Sequence, residues 1–286
     1  MRQQLKPGDR FGLGWRPALA AGILAHLDRI DVVELIAEDH LTASRSSLRA
    51  LRTLAFELPL LLHGVALGLA STVPVEMRRL DRLARLIGAI EPECWSEHLA
   101  FTRGGGVEIG HLAAPPRSAA SVEGACRNLE LARRVTGAMP DLENIATLID
   151  PPASSMGEAE WIDAVIRGSG AGLLLDLHNL YANAVNFGLN PLSVLQCLPL
   201  DRVSQVHLSG GHWIEGPEGT RRLLDDHIHD VPPEVFLLLT ELGRRAPQPL
   251  TVILERDGCY PDFARLLEQL DAARASLALG RGQITA

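Results

Sequence analysis

Short apolar runs alternate with longer amphipathic runs along the chain, and this alternation constrains the fold more than any other feature. An apolar run of this length is typical of a buried strand, and the amphipathic run that follows is typical of a crossover helix on a parallel sheet. The runs that we interpret as strands are Arg10–Arg16, Asp31–Glu38, Leu58–His63, Cys94–Phe101, Pro140–Asn144, Gly172–Asn179, Val203–Leu208 and Leu250–Arg256. Eight such strands close a (β/α)₈ barrel. The sequence therefore predicts an α/β fold, a single TIM barrel.

Helical periodicity between the predicted strands supports this interpretation. It is clearest at Val75–Ala89, Val122–Thr136, Glu158–Arg167, Glu234–Arg245 and Asp262–Ala278. No stretch is rich enough in proline or glycine to be a domain linker, and 286 residues suit one barrel. We expect one domain over 1–286, with a core from about 10 to 275 and a flexible tail at 280–286.

Ionisable residues fall at the carboxyl ends of the predicted strands. In a TIM barrel this end carries the active site, because the ends of all eight strands meet there. One such residue alone is ordinarily a hydrogen-bonded rim residue. Many carboxylates at one mouth would repel one another unless cations lie between them. The set therefore predicts a metal site.

The donor types indicate which metals would bind. Imidazoles with carboxylates and no thiolate suit iron, manganese or zinc rather than an iron–sulfur cluster or structural zinc. An Asp-x-His pair beyond the seventh strand adds two donors if it is extended and faces inward. The candidate ligands are His63, His98, Glu143, Asp176, Asn179, His207, Asp225, His227 and Glu255. Nine donors are enough for two or three ions with bridging carboxylates.

Composition excludes several kinds of chemistry. Lys6 is the only lysine, so Schiff-base, pyridoxal-phosphate and Walker A enzymes, which need an interior amine, do not fit. A net charge of -8 gives no general attraction for nucleic acid. The four cysteines form no C-x-x-C pair, and no apolar run is long enough to span a bilayer or to serve as a signal peptide. We expect a cytoplasmic protein with neither nucleic-acid nor membrane partners.

Eight short motifs follow one another from about residue 10 to 270. They are Gly12-Leu13-Gly14, His63-Gly64-Val65, Ser96-Glu97-His98-Leu99, Leu142-Glu143-Asn144, Leu175-Asp176 with Asn179-Leu180-Tyr181 and Asn186, Val206-His207-Leu208-Ser209-Gly210, Asp225-x-His227 and Leu254-Glu255-Arg256-Asp257. In this order and spacing they resemble the multinuclear non-heme iron oxidases, the family of the methanobactin biosynthesis oxygenase.

The resemblance implies a TIM barrel that holds two or three irons, activates dioxygen and modifies a ribosomally made precursor peptide, often at cysteine. It implies the same nine ligands. Among them, we expect catalysis to depend most on Glu143, Asp176, His207 and Glu255. It also implies a separate peptide-recognition partner protein. This chain departs from the family pattern at His178, where members commonly have Asn, and at His212, which is one residue later than the family's His-x-x-Gly-His.

We allot His63, His98 and Glu143 to one iron. A second iron takes Asp176, His207 and Glu255, with Glu143 or Glu255 bridging, and a more labile third takes the remaining candidates, Asn179, Asp225 and His227. Arg16 and Arg256 are candidates to orient a peptide carboxylate or the ligand carboxylates, with ion pairing as the alternative role.

Two alternatives remain open. A xylose isomerase-like barrel acting as a divalent-metal sugar isomerase or epimerase, or as a zinc endonuclease, would share the pattern of strand-end ligands. A non-catalytic maturation partner could also keep the barrel, although a scaffold has no reason to hold so many carboxylates together.

Overall fold

The computed structural model describes residues 8–104, 107–216 and 219–283. Within these ranges it contains a closed parallel barrel and two added hairpins. The strands are β1 (Arg10–Gly14), β2 (Val32–Ile36), β3 (Leu60–Gly64), β4 (Cys94–His98), β5 (Phe101–Gly104), β6 (Val107–Ala113), β7 (Asp141–Glu143), β8 (Gly172–Asp176), β9 (Val203–Leu208), β10 (Gly211–Glu215), β11 (Arg221–Asp225) and β12 (Thr251–Leu254).

Eight of these strands form the barrel in the order β1-β2-β3-β4-β7-β8-β9-β12, and β12 pairs with β1 to close it. All eight neighbouring pairs are parallel. Each of the eight predicted strands supplies one barrel strand, so the predicted single TIM barrel fold is confirmed.

Helices surround the barrel. They are α1 (Ala20–Ala25), α2 (Arg45–Glu57), α3 (Met77–Ile90), α4 (Ala119–Thr136), α5 (Glu158–Ser169), α6 (Leu177–Asn186), α7 (Pro191–Cys197), α8 (Pro233–Arg245) and α9 (Phe263–Gly280). In α3 the apolar residues Leu80, Leu83 and Leu86 recur every three residues, and all three are buried against the barrel. Burying each contributes about 2 kcal/mol. The single predicted domain stays a prediction, as does the flexible tail, of which 284–286 lie outside the described residues. Lys6 lies outside them too.

The structure differs from the sequence prediction after two strands. The predicted fourth strand ran to Phe101, but β4 ends at His98, and Phe101 begins the antiparallel β5–β6 hairpin. The predicted sixth strand ran to Asn179, but β8 ends at Asp176 and α6 follows at once. The Asp176 side chain accepts the backbone N–H of Asn179 and so caps α6, which ends the strand there.

Candidate metal centre

Inward-facing side chains alternate along each barrel strand, and a polar layer lies directly above an apolar one. Val32, Leu61 and Ile253 pack together inside the barrel. The residues two positions further along the chain, which share the inward direction, are Glu34, His63 and Glu255. All three are buried. The carboxyl end of the barrel is therefore filled with ionisable side chains rather than apolar ones.

Two groups of potential ligand atoms lie in this layer. The first cluster is His63, His98 and Glu143, and its donor atoms lie within 4.8 Å of one another. Nε2 of His63 lies 3.1 Å from Oε2 of Glu143, and Nε2 of His98 lies 3.4 Å from the same oxygen. The other ring nitrogen of His63 is 2.8 Å from Oγ of Ser96, which fixes the ring orientation.

The second cluster is Glu143, Asp176, His207 and Glu255, again within 4.8 Å. Nδ1 of His207 lies 3.1 Å from Oε2 of Glu255 and 3.6 Å from Oε1 of Glu143. Glu143 thus directs one carboxylate oxygen to each cluster. A carboxylate in this position can bridge two ions.

Glu34, which is not among the nine predicted ligands, contacts the second cluster from the side opposite the other carboxylates. Its carboxylate lies 3.0 Å from Nε2 of His207, the nitrogen that faces away from Glu143 and Glu255. A carboxylate behind a metal-binding imidazole fixes its tautomer and increases its basicity. Glu38, at the end of the predicted second strand, accepts backbone N–H groups of Val65 and Ala66 and does not contact His207. Glu34 lies two residues after Val32 on the same strand, so it shares the inward direction of this apolar residue, and this spacing could have identified it from the sequence.

The remaining candidates lie beside the two clusters. Asp225 accepts hydrogen bonds from His178 at 2.8 Å and Ser209 at 3.1 Å, and its Oδ2 lies 2.9 Å from Nε2 of His227. Nδ1 of His227 lies 3.5 Å from Oε2 of Glu255. The side-chain N–H of Asn179 donates to the carbonyl of Asn144, while its Oδ1 is buried and makes no hydrogen bond within the described ranges. These residues adjoin the centre, but neither cluster includes them.

The two arginines at the mouth have different surroundings. Arg16 forms an ion pair with Asp257 at 2.5 Å, and Asp257 lies 3.3 Å from Nδ1 of His227. Arg256 forms an ion pair with Asp230 at 3.4 Å and also donates to the backbone carbonyls of Gly258 and Cys259. Arg256 therefore supports the loop after β12, whereas Arg16 belongs to the charged rim.

Several donor atoms of the centre are buried yet make no hydrogen bond within the described ranges. They are Oε2 of Glu143, Oδ2 of Asp176, Nδ1 of His207, Oε2 of Glu255, Oδ1 of Asn179 and Nδ1 of His227. A buried polar atom without a partner is costly. A bound cation would satisfy these atoms, and nitrogen donors with carboxylate oxygens suit a first-row transition metal. The residues present therefore fit a metal centre.

The electrostatics agree with this fit. Burial lowers the pKa of His98 to about 4, so its imidazole is neutral and able to bind a metal. Burial and the carboxylates of Asp225 and Glu143 raise the pKa of Asp176 well above its ordinary value. Burial alone would lower the pKa of His207, but the carboxylates of Glu255, Glu34 and Glu143 raise it well above its ordinary value. Without metal, protons must supply the positive charge that these carboxylates require.

Comparison with known proteins agrees with the sequence motifs. Residues 10–278 match the model of a family described as the RiPP precursor modification enzyme MbnB/TglH/ChrH, where RiPP denotes a ribosomally synthesised, modified peptide. The chain belongs to this family. The resemblance found in the sequence is thereby confirmed at the level of the family.

Relatives of this family member are known from several bacteria. A UPF0276 protein of Streptomyces avermitilis is 34% identical over 277 residues, which cover 93% of this chain and 54% of that protein. A UPF0276 protein of Caulobacter vibrioides is 32% identical over 278 residues, covering 97% of each chain. The chain thus spans about half of the Streptomyces relative but nearly all of the Caulobacter one.

Solved structures share the barrel. A xylose isomerase domain-containing protein from Salmonella typhimurium superposes with a TM-score of 0.60 at 15% identity, covering 96% of this chain and 99% of that one. A D-psicose 3-epimerase from Clostridium cellulolyticum, solved with D-tagatose, gives 0.58 at 10% identity, covering 96% and 98%. At such low identity the likeness concerns the fold alone. In the described part of the family member, no helix has the length and apolar character needed to cross a membrane.

Proposed function

We propose that the protein is a multinuclear non-heme iron enzyme that uses dioxygen to modify a ribosomally made precursor peptide at cysteine. The observation that carries the proposal is the pair of clusters that share Glu143, with several buried donor atoms that make no hydrogen bond within the described ranges. Membership in a family of RiPP-modifying enzymes supports the peptide substrate.

Two sets of residues in this chain would each bind one iron. Nε2 of His63, Nε2 of His98 and Oε2 of Glu143 face a common point and would bind the first ion. Oε1 of Glu143 and Nδ1 of His207, with Asp176 and Glu255, would bind the second. Glu143 belongs to both sets and would therefore serve both ions. Asn179, Asp225 and His227 would supply a third, more labile position.

Iron with open coordination positions supplies the capacity to bind dioxygen and a substrate thiolate next to each other. The protein's part is positioning, because holding both reactants at one site makes their reaction intramolecular. Ser96 and Glu34 fix the rings of His63 and His207, so the donor atoms are oriented before the metal arrives.

The peptide would reach the centre at the carboxyl end of the barrel. The side chains of His207 and Glu143 are buried, with 0% and 2% exposed, whereas His98, Asp225 and His227 are 14%, 15% and 16% exposed. These three are the most exposed of the nine predicted ligands. The β5–β6 and β10–β11 hairpins follow β4 and β9 at this end, and a separate recognition protein would present the peptide there.

Glu143→Ala tests the proposal most directly. Because Glu143 belongs to both clusters, we expect this variant to lose at least two irons per chain, measured by elemental analysis, together with dioxygen consumption in the presence of the peptide. Glu123→Ala, a change in an exposed glutamate of α4, is the matched control and should keep both. A folded Glu143→Ala protein with full iron and activity would refute the proposal.

Two further measurements separate this function from that of a sugar epimerase. A purified iron protein absorbs in the near-ultraviolet and visible range, whereas zinc or manganese(II) centres are nearly colourless. The neighbouring open reading frames provide the second measurement. A short cysteine-containing peptide encoded beside this gene supports the proposed substrate, and a sugar-utilisation operon contradicts it.

A further inference from the structure

A second set of imidazoles and a carboxylate lies on the outer side of the β10–β11 hairpin. His212, Asp226 and His229 bring donor atoms within 4.8 Å of one another. Nδ1 of His212 lies 2.5 Å from Oδ2 of Asp226, and Nδ1 of His229 lies 2.9 Å from the same oxygen. Three donors of the kind found in transition-metal sites therefore converge on one point outside the proposed iron centre.

The backbone separates this outer set from the inner one. Asp225 contacts His178 and His227 on the inner side, while the next residue, Asp226, turns its carboxylate outward to His212. On β10 a Cβ at Gly211 would lie 2.6 Å from Cε1 of His178, so position 211 faces inward. Successive residues of a strand face opposite sides, so His212 faces outward. His212 lies one residue later than the second histidine of the family's His-x-x-Gly-His pattern. Its side chain therefore lies in the outer set and not in the inner centre.

Local packing holds the outer set in place without any ion. The carbonyl of Gly210 accepts the N–H of His227 at 3.0 Å, and a Cβ at Gly210 would clash with the carbonyl oxygens of His229 and Asp230. Glycine is therefore required for this close approach. Oδ1 of Asp226 accepts the N–H of Ile228 at 3.1 Å, which orients the carboxylate so that Oδ2 faces both imidazoles.

The site is open to solvent. The side chains of His212 and His229 are 43% and 48% exposed, whereas Asp226 is 16% exposed. Water can complete the coordination of an ion held by three protein donors. Two imidazoles and one carboxylate favour a first-row divalent ion such as zinc over magnesium or calcium, which prefer all-oxygen sites.

We propose that His212, Asp226 and His229 bind one divalent transition-metal ion at the surface, separate from the two inner clusters. The ion would join β10 to the segment 226–229, which directly follows Asp225 and contains His227. Occupancy would therefore hold the backbone that presents these two inner residues.

Equilibrium dialysis against micromolar zinc, with metals counted by elemental analysis, tests the proposal on the protein as isolated. The metal content of His212→Ala before dialysis gives the occupancy of the inner centre, because this variant lacks the surface site. We expect one additional zinc per chain. We also expect His212→Ala and His229→Ala each to weaken zinc binding by at least about tenfold, because loss of a residue that only supports a metal ligand already costs about that much. His111→Ala, a change in an exposed histidine on β6, is the matched control and should bind zinc as the unaltered protein does.

The outcomes are distinct from those that test the iron centre. Loss of the additional zinc with unchanged iron content in His212→Ala supports a separate surface site. Absence of an additional zinc, or equal zinc binding by His212→Ala, His229→Ala and His111→Ala, overturns it. Glu143→Ala should keep the surface zinc while losing iron, so failure of either proposal leaves the other testable.

Discussion

His207 donates from Nε2 toward the carboxylate of Glu34 at 3.0 Å, and this contact leaves Nδ1 free to face Glu143 and Glu255. The contact decides which ring nitrogen is available to a metal. We expect Glu34→Ala to lower iron affinity about 10- to 100-fold, the range for loss of a carboxylate behind a ligand imidazole. Iron retained during dialysis against graded chelator measures this effect.

Glu34→Gln separates orientation from charge, since the amide oxygen can still accept from Nε2. This variant should fall between the unaltered protein and Glu34→Ala. Glu93→Gln provides a control, because Glu93 lies in the loop before β4 and pairs with Arg10 far from the mouth. Equal iron retention by Glu34→Ala and the unaltered protein would show that Glu34 does not position His207.

Ser96 makes the corresponding contact for His63, since its Oγ lies 2.8 Å from Nδ1. Ser96→Ala removes a neutral hydrogen bond worth about 1 kcal/mol, so we expect roughly fivefold weaker iron binding in the first cluster. The effect should be smaller than that of Glu34→Ala because no charge is removed. Chelator competition measures both variants side by side, and a larger loss in Ser96→Ala would contradict this ranking.

Metal removal should destabilise the protein more at high pH than at low pH. The pKa of Asp176 is raised by burial and by Asp225 and Glu143, and the carboxylates around His207 raise its pKa despite burial. A group with a raised pKa binds its proton more tightly in the folded state, so its contribution to stability falls as pH rises through that pKa. Metal binding has the opposite trend, because it requires deprotonated ligands.

The difference in thermal midpoint between metal-loaded and chelator-treated protein should therefore grow as the pH rises above about 6.5, the ordinary pKa of histidine. Scanning calorimetry of both forms at each pH measures it. A difference that is constant or shrinks over this range would show that protons and metal do not compete for these residues.

The barrel could be predicted from the sequence because each strand is a compact apolar run, as in Leu58–His63, and buried parallel strands have this pattern. The ends of the runs were less informative. The predicted sixth strand continues past Asp176 to Asn179 because Leu177 is apolar, yet the Asp176 side chain caps a helix at that point. The β5–β6 hairpin was not predicted either. Val107 and Ile109 are exposed, so β6 does not bury an apolar face that would make it recognisable as a core strand.

The predicted ligands are brought together for the same reason that the barrel could be predicted, since strand ends converge whatever the details of the loops. Six of them form the two clusters, and Asn179, Asp225 and His227 lie beside these. Glu34 was not predicted because it lies in the middle of β2, whereas the predicted ligands lie at strand ends. Its role depends on a contact with His207, 173 positions away, which no local pattern reveals.

Asp176→Asn should have opposite effects on the stability of the metal-free and metal-loaded protein. Burial and neighbouring carboxylates make an ionised Asp176 unfavourable without metal. Asparagine removes the charge and still caps α6, since its side-chain oxygen can accept the N–H of Asn179. We expect the thermal midpoint of the metal-free variant to rise by about 2–4 °C, the shift that 1 kcal/mol produces in chains of about 150–250 residues. With iron present, the variant should instead lose one ion and melt below the unaltered protein.

Asp176→Ala, which also removes the cap, should be less stable than Asp176→Asn in both forms. A lower midpoint for metal-free Asp176→Asn would show that the charge on this buried carboxylate is already compensated without a metal.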